Sequence, residues 1–281
     1  MSSISGSSVS DAIRAAANRL VATSDTARLD AEVLMGHALG ASRSDLLLRH
    51  LDAAAPPAFA ALVDRRASHE PVAYIVGSQD FFGLELRVSP AVLIPRGDSE
   101  TLVEAALAAR PQARRVLDCG TGSGALLLAV LAELPAAHGV GIDRSARALA
   151  VAAGNAASLG LSGRAAFLER DWTRPAWDNG LAGFDLVLAN PPYVEDEAAL
   201  LPSVRSYEPA GALFAGQDGL DDYRQLIPQL GGLLAPDGSA LVEIGSTQAD
   251  AVTAIADAAG FAAKLHRDLG GRDRVVELVR R

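Results

Sequence analysis

Residues 115–130 read RVLDCGTGSGALLLAV. A run of strand-forming residues gives way to three alternating glycines, and an apolar helical pattern follows at once. Gly120, Gly122 and Gly124 let the backbone turn sharply and approach a ligand with no Cβ in the way. Thr121 and Ser123 lie between them and complete the loop. The stretch also fits the dinucleotide pattern G-x-G-x-x-G/A, with Ala125 last. By itself it leaves open a dinucleotide or another nucleoside cofactor, and a merely structural turn is the plain alternative. It sets the fold class, because a strand, a glycine turn and a helix in that order begin a parallel α/β unit.

Downstream the same grammar repeats. Strands are predicted over 115–119, 138–143, 164–169, 184–189, 239–244, 262–267 and 274–279. Helical patterns fill 123–134, 145–159, 219–234 and 247–259. The alternation predicts a parallel sheet wrapped by helices. Only DLGGRD separates the last two strands, which predicts an antiparallel hairpin.

Upstream, residues 1–75 show helical periodicity without strands. SVSDAIRAAANRLVA stripes Val9, Ile13, Ala17 and Leu20, with Ser10 a candidate cap. DTARLDAEVLMGHALG stripes Leu29, Val33, Leu34 and Ala38 and ends at Gly40, suited to a C-terminal cap. RSDLLLRHLD is a third, shorter helix. PPAFAALVDRRASHE stripes Phe59, Leu62, Val63 and Arg66. The expected organisation is a helical domain over 1–75, a hairpin-like connector over 76–96 and an α/β domain over 97–281. The first eight residues, rich in Ser and Gly, are expected to be disordered.

Composition narrows the classes. The chain has 281 residues, 49% hydrophobic and 21% charged, as in ordinary globular proteins. One cysteine, Cys119, excludes an internal disulfide framework and suits a reducing cytoplasm. No apolar run is long enough to span a membrane, and the N-terminus lacks the basic and apolar regions of a signal peptide. The formal charge is −9. Residues 1–75 hold seven Arg against eight acids, so almost all of that excess lies in the α/β part. Such a surface argues against direct nucleic-acid binding and fits a basic protein partner. The five histidines are scattered, and no metal site is expected.

Three further strand ends carry chemistry. GVGID ends in Asp143, placed to accept both ribose hydroxyls; its plain alternative is a helix cap. FLERDWT ends in Asp171-Trp172, where the indole either borders an adenine or simply packs. DLVLANPPYV ends in Asn190-Pro191-Pro192-Tyr193. Ligands of open α/β sheets bind at the carboxyl ends of the strands, so all four features converge on one edge. The Asn190 side-chain oxygen and the Pro191 carbonyl are adjacent acceptors that match the two hydrogens of a planar NH2 group, and the Tyr193 ring suits its flat face. Accepting those hydrogens returns electron density to the nitrogen, help that a carboxamide nitrogen needs. A plain turn is the alternative. Glu243-Ile244-Gly245 ends the next strand and reads first as structural. Cys119 reads as a packed residue.

Taken in order, these segments resemble the release-factor glutamine methyltransferases, the HemK-type protein-(glutamine-N5) methyltransferases. PVAYIVGSQDFFGL, VSPAVLIPRGDSETLV, LDCGTGSGALLLA, GIDRSARALAVAAGNA, DLVLANPPYV, YEPAGALFAGQDGLDDYRQLI, LVEIGSTQ and RDLGGRDRVVEL all match. Asn-Pro-Pro-Tyr alone is shared with adenine-N6 methyltransferases, whereas the block from Tyr207-Glu208-Pro209 to Asp218-Gly219-Leu220 is more specific. One departure stands out: the usual Pro-Arg-Pro-Glu-Thr-Glu is here Pro95-Arg96-Gly97-Asp98-Ser99-Glu100, which keeps charge and hydroxyl but loses a proline.

The resemblance implies a seven-stranded, Rossmann-like S-adenosylmethionine-dependent methyltransferase domain with a small N-terminal helical bundle that recognises substrate. It implies cytoplasmic methylation, by a monomer, of the side-chain amide nitrogen of the Gln in the Gly-Gly-Gln loop of class I peptide-chain release factors, a step serving translation termination. It assigns Gly120, Thr121, Gly122, Ser123, Gly124, Asp143, Trp172 and Asn190 to the cofactor. Asn190, Pro191, Pro192 and Tyr193 hold the glutamine, with Asn190, Pro191 and Tyr193 catalytic. The competing readings are methylation of an adenine N6 or guanine N2 amine on nucleic acid, and a nucleotide-binding or NAD-dependent protein in which Asn-Pro-Pro-Tyr has no purpose.

Overall fold

The computed structural model describes residues 7–281, which divide into two compact units. The expectation of disorder for residues 1–6 falls outside the described residues. Ser7 and Ser8 are ordered, and the disorder expected for them is corrected: Ser8, not Ser10, caps the first helix, its hydroxyl accepting from the Asp11 amide.

One unit comprises residues up to Ser78 together with Leu200–Tyr207. It contains α1 (Val9–Leu20), α2 (Ala27–Leu39), α3 (Arg43–Asp45, continuing as a π turn over Leu46–His50), α4 (Ala58–Ala67) and α5 (Val72–Val76). Helix α5 lies within the region expected to be helical except for Val76, the first residue of the expected connector, and is closed by Gly77 at φ 83°. The α2 stripe is also rotated. Leu34 is buried but Leu29 is exposed, and Asp30, Ala31 and Met35 face inward instead. The reason is a buried ion pair that hydropathy does not register: Arg66 Nε donates to Asp30 Oδ2 at 2.7 Å, and Ser24 and Thr26 hydroxyls complete the carboxylate's partners. Arg66 therefore belongs on the buried face of α4, as its periodicity predicts.

The other unit holds Gln79–Ala199 and Glu208–Arg281. A two-stranded hairpin, β1 (Ser78–Phe81) and β2 (Leu84–Arg87), turns at Phe82 and Gly83, both at positive φ. A 3-10 turn over Gly97–Ser99 leads into α6 (Glu100–Ala109), a helix outside the predicted set. Then follow β3 (Arg115–Cys119), α7 (Ala125–Glu133), β4 (His138–Asp143), α8 (Ala146–Ser158), β5 (Ala165–Glu169) and β6 (Phe184–Ala189). The short α9 (Pro202–Arg205) belongs to the helical unit. The chain ends with α10 (Asp221–Leu233), β7 (Leu234–Glu243), α11 (Ala249–Ala258), β8 (Phe261–Arg267) and β9 (Asp273–Arg280).

The seven-stranded sheet runs β5-β4-β3-β6-β7-β9-β8, parallel except for β9, which is antiparallel to both neighbours. Strands β3 and β6 are almost continuously buried because both faces of the sheet are covered. Separate apolar clusters fill those faces, one built on α10 and α11, the other on α6 and α7. Chain order reverses between β3 and β6, which opens a crevice at their carboxyl ends. Among the described residues no helix is long and apolar enough to cross a membrane.

Candidate active site

The glycine loop after β3 is held from below. The amides of Gly120 and Thr121 both donate to the Ile142 carbonyl of β4, at 2.9 and 2.8 Å. Gly120, Gly122 and Gly124 have φ of 77°, 53° and 84°, a region that L side chains rarely adopt. At Gly120 the missing Cβ also makes room for Trp172: a Cβ there would lie 3.2 Å from the indole. Thr121 turns inward and its hydroxyl donates to Asp118 Oδ2 at 2.6 Å. The other Asp118 oxygen has no partner, and burial pushes the carboxyl up to about 7.

Asp143 ends β4 beside this loop. Its Oδ2 accepts from the Gly122 amide at 3.0 Å and its Oδ1 from the Ser145 amide at 2.9 Å. Partial burial raises its pKa against those bonds. Trp172 follows β5, and its Nε1 donates to Asp222 Oδ1 at 3.0 Å, which fixes the ring plane.

A cleft of ≈ 1120 Å³, its open mouth included, runs across the carboxyl ends of the strands. Gly120, Thr121, Gly122, Ser123, Asp143, Trp172, Asn190 and Pro192 line it. Gly124, Pro191 and Tyr193 lie outside that lining. Gly124 caps α7 behind the loop. Pro191 is buried, and the half-buried Tyr193 packs on the core while its carbonyl accepts from Gln248 Nε2 at 3.1 Å. The glycine and Asp143 features thus meet Asn190 in one crevice.

Sequence reasoning did not single out the opposite wall. Residues 91–93, Pro95, Arg96 and Ser99 form one side, and Pro209, Gly211 and Ala212 another. Glu208 joins them: its buried carboxylate accepts from the Ile94 amide at 3.2 Å and pairs with the Arg96 guanidinium. Arg144, next to Asp143, donates to the Gly211 carbonyl. The signal for these residues was present only as family-like segments, VSPAVLIPRGDSETLV and YEPAG. No cluster of His, Cys, Asp or Glu among the described residues fits a metal ion.

The donor set suits S-adenosylmethionine. Three glycines at positive φ leave backbone where side chains would intrude, an acid stands at the end of the second strand, and an indole borders the space. These features define an S-adenosylmethionine-dependent methyltransferase. A family model described as PrmC N-terminal domain matches residues 11–77, and one described as Methyltransferase domain matches residues 112–259. The release factor glutamine methyltransferase of Caulobacter vibrioides is 44% identical over 90% of this chain and 89% of its own. That of Cereibacter sphaeroides is 44% identical over 95% of this chain and 96% of its own. The chain belongs to the release factor glutamine methyltransferase family. In fold, it is similar to ribosomal protein L11 methylase from Lactobacillus delbrueckii subsp. bulgaricus, with a TM-score of 0.51 at 21% identity, covering 70% of this chain and 85% of that one.

Proposed function

We propose that this protein methylates the side-chain amide nitrogen of the glutamine in the Gly-Gly-Gln loop of class I peptide-chain release factors. The observation that carries the reading is the position of Asn190 and Pro192 in the same cleft as the glycine loop, Asp143 and Trp172. When bound, S-adenosylmethionine supplies an electrophilic methyl group. Gly120 to Ser123 would lie along the cofactor with no side chain between it and the loop backbone. Asp143 would hold the ribose hydroxyls, and Trp172 would border the base. Asn190 Oδ1 and the Pro191 carbonyl would accept the two amide hydrogens, orienting the nitrogen and strengthening its lone pair as the transition state forms. Tyr193 backs this segment from the core side.

We assign release-factor recognition to the helical unit. Val21, Leu48 and Leu201 are large apolar residues exposed on it. A glutamine loop alone offers little surface for recognition. Work on a translation factor would place the protein in the cytoplasm.

The test is methyl incorporation from labelled S-adenosylmethionine, followed by mass spectrometry of a release factor carrying Gln, Glu or Asn at the acceptor position. Only Gln should be methylated. Glu offers no N–H to two acceptors, and Asn falls one methylene short, where a misplacement of about 1 Å can cost roughly 10²-fold. Asn190→Ala should lower turnover by roughly 10²–10³, the loss typical of one preorganised contact. Methylation of the Glu substrate at a comparable rate would refute the acceptor pair.

A further inference from the structure

Near Asn190 lies a buried polar group with no part in the reading above. Glu243, the last residue of β7, is 1% exposed, and its Oε2 has no hydrogen-bond partner. Buried carboxylates are costly without partners, so one left open calls for a reason. The Ser99 and Tyr193 hydroxyls are close enough to favour its charged form. Ser99, 4% exposed, also stands 3.5 Å from Asn190 Nδ2. Glu243 directly follows Val242, the register partner of Ala189, so it ends β7 beside the start of the Asn-Pro-Pro-Tyr segment, with Ser99 reaching Asn190.

We propose that Glu243 and Ser99 are positioning residues that hold the Asn190 amide with its oxygen turned into the cleft. The inference rests on the glutamine-binding role proposed for Asn190. An ionised Glu243 can only accept, so it draws the Ser99 proton toward itself. The Ser99 oxygen is then left as an acceptor and takes the Asn190 N–H. With its NH2 group engaged there, Asn190 presents Oδ1 to the substrate. A neutral Glu243 releases the Ser99 hydroxyl, which can then donate to Asn190 Oδ1 and favour the flipped amide, with two donors facing two substrate donors. The same carboxylate orients the Tyr193 hydroxyl.

The charge state of Glu243 is set from several sides. Burial pushes its pKa up to about 7, against the opposing pull of Ser99, Tyr193 and the Arg274 guanidinium of β9. Asp98 raises it further. Arg274 is itself shared with Asp98 at 3.1 Å and Asp268 at 3.3 Å, and Arg272 pairs with the same two acids. Tyr223 of α10 donates to the Glu243 carbonyl at 2.9 Å, and Arg96 lies toward Tyr193.

The experiment follows the Asn190 side-chain NH2 resonances of 15N-labelled protein, identified by their loss in Asn190→Asp, from pH 5.5 to 8.5. In the wild type they should titrate with a single proton near neutrality. Glu243→Gln, and independently Ser99→Ala, should abolish that response. In parallel, kcat for release-factor methylation should fall roughly 10- to 100-fold in Ser99→Ala, since displacement of about 1 Å costs up to 10²-fold. It should return in Ser99→Thr. Resonances that ignore pH in the wild type, or that titrate unaltered in both variants, would overturn the proposal, as would wild-type kcat in Ser99→Ala. Titrating resonances in a protein that leaves release factor unmethylated would support the positioning and refute the function assigned to the cleft.

Discussion

Asp143 Oδ2 accepts a hydrogen bond from the Gly122 amide at 3.0 Å, so the acid after the second strand of the sheet braces the glycine loop after the first. The two cofactor-site features are thus one mechanical unit. Asp143→Ala should weaken S-adenosylmethionine binding twice over, by removing the proposed ribose acceptor and by loosening the loop. Asp143→Asn keeps one acceptor oxygen and should lose less. Calorimetric titration of both variants checks the order, and equal affinities would refute it.

Gly120 has two reasons to be glycine, its φ of 77° and the Trp172 ring 3.2 Å from where a Cβ would sit. Gly120→Ala should destabilise the fold by about 1–3 kcal/mol, as left-handed strain does, and weaken the cofactor by displacing Trp172. Denaturant unfolding and tryptophan fluorescence measure the two effects separately.

Asp118 and Glu243 both have pKa values raised by burial to about 7, from 3.8 and 4.5. The unfolded chain releases these protons near pH 4, whereas the folded chain keeps them to about pH 7. Between those limits the folded state binds more protons, so stability from these groups falls as pH rises from about 5 to 7. Each pKa unit corresponds to about 1.36 kcal/mol, making the effect a few kcal/mol in order of magnitude. Acids held low by their partners, such as Glu32 and Asp171, act in the opposite sense only in the more acidic range. Calorimetric Tm values should therefore drop from pH 5.5 to 7.5 in the wild type. The slope should flatten in Asp118→Asn and in Glu243→Gln.

Gly97 takes the place where the family usually has proline. A Cβ there meets nothing within 4 Å, and it opens the 3-10 turn before α6. Arg96 before it is extended, at φ −104° and ψ 144°, the conformation that precedes proline best. Gly97→Pro should therefore stabilise the protein by about 0.4–1 kcal/mol through the unfolded state. A lowered unfolding midpoint would show that this turn needs its freedom.

Much of the sheet was legible because its signals are local. Strands β3, β4 and β6 occupy the predicted residues, since short apolar-rich runs between helical patterns leave little choice of where a strand lies. The glycine loop, Asp143 and Asn190 were legible from their order after those strands. The inward face of α2 was not, because Asp30 is buried by its pairing with Arg66, 36 residues away. Helix α5 had no helical stripe to announce it: three of its five residues, Val72, Ile75 and Val76, are β-branched, and it forms where the helical unit buries Ala73, Tyr74 and Ile75.

By itself, then, the sequence determined the order of the sheet's strands along the chain, which strand ends meet in one cleft, and the family to which the whole belongs. Those properties follow from backbone periodicity and from short motifs. Only the tertiary structure decided that β9 enters between β7 and β8, that Leu200–Tyr207 joins the helical unit while Glu208 returns to the sheet unit to grip Arg96, and that Ser99 meets Asn190 near the buried Glu243. Each of these joins groups distant along the chain. Such pairings come from closing a common core, and no local pattern records which distant residue a buried charge will meet.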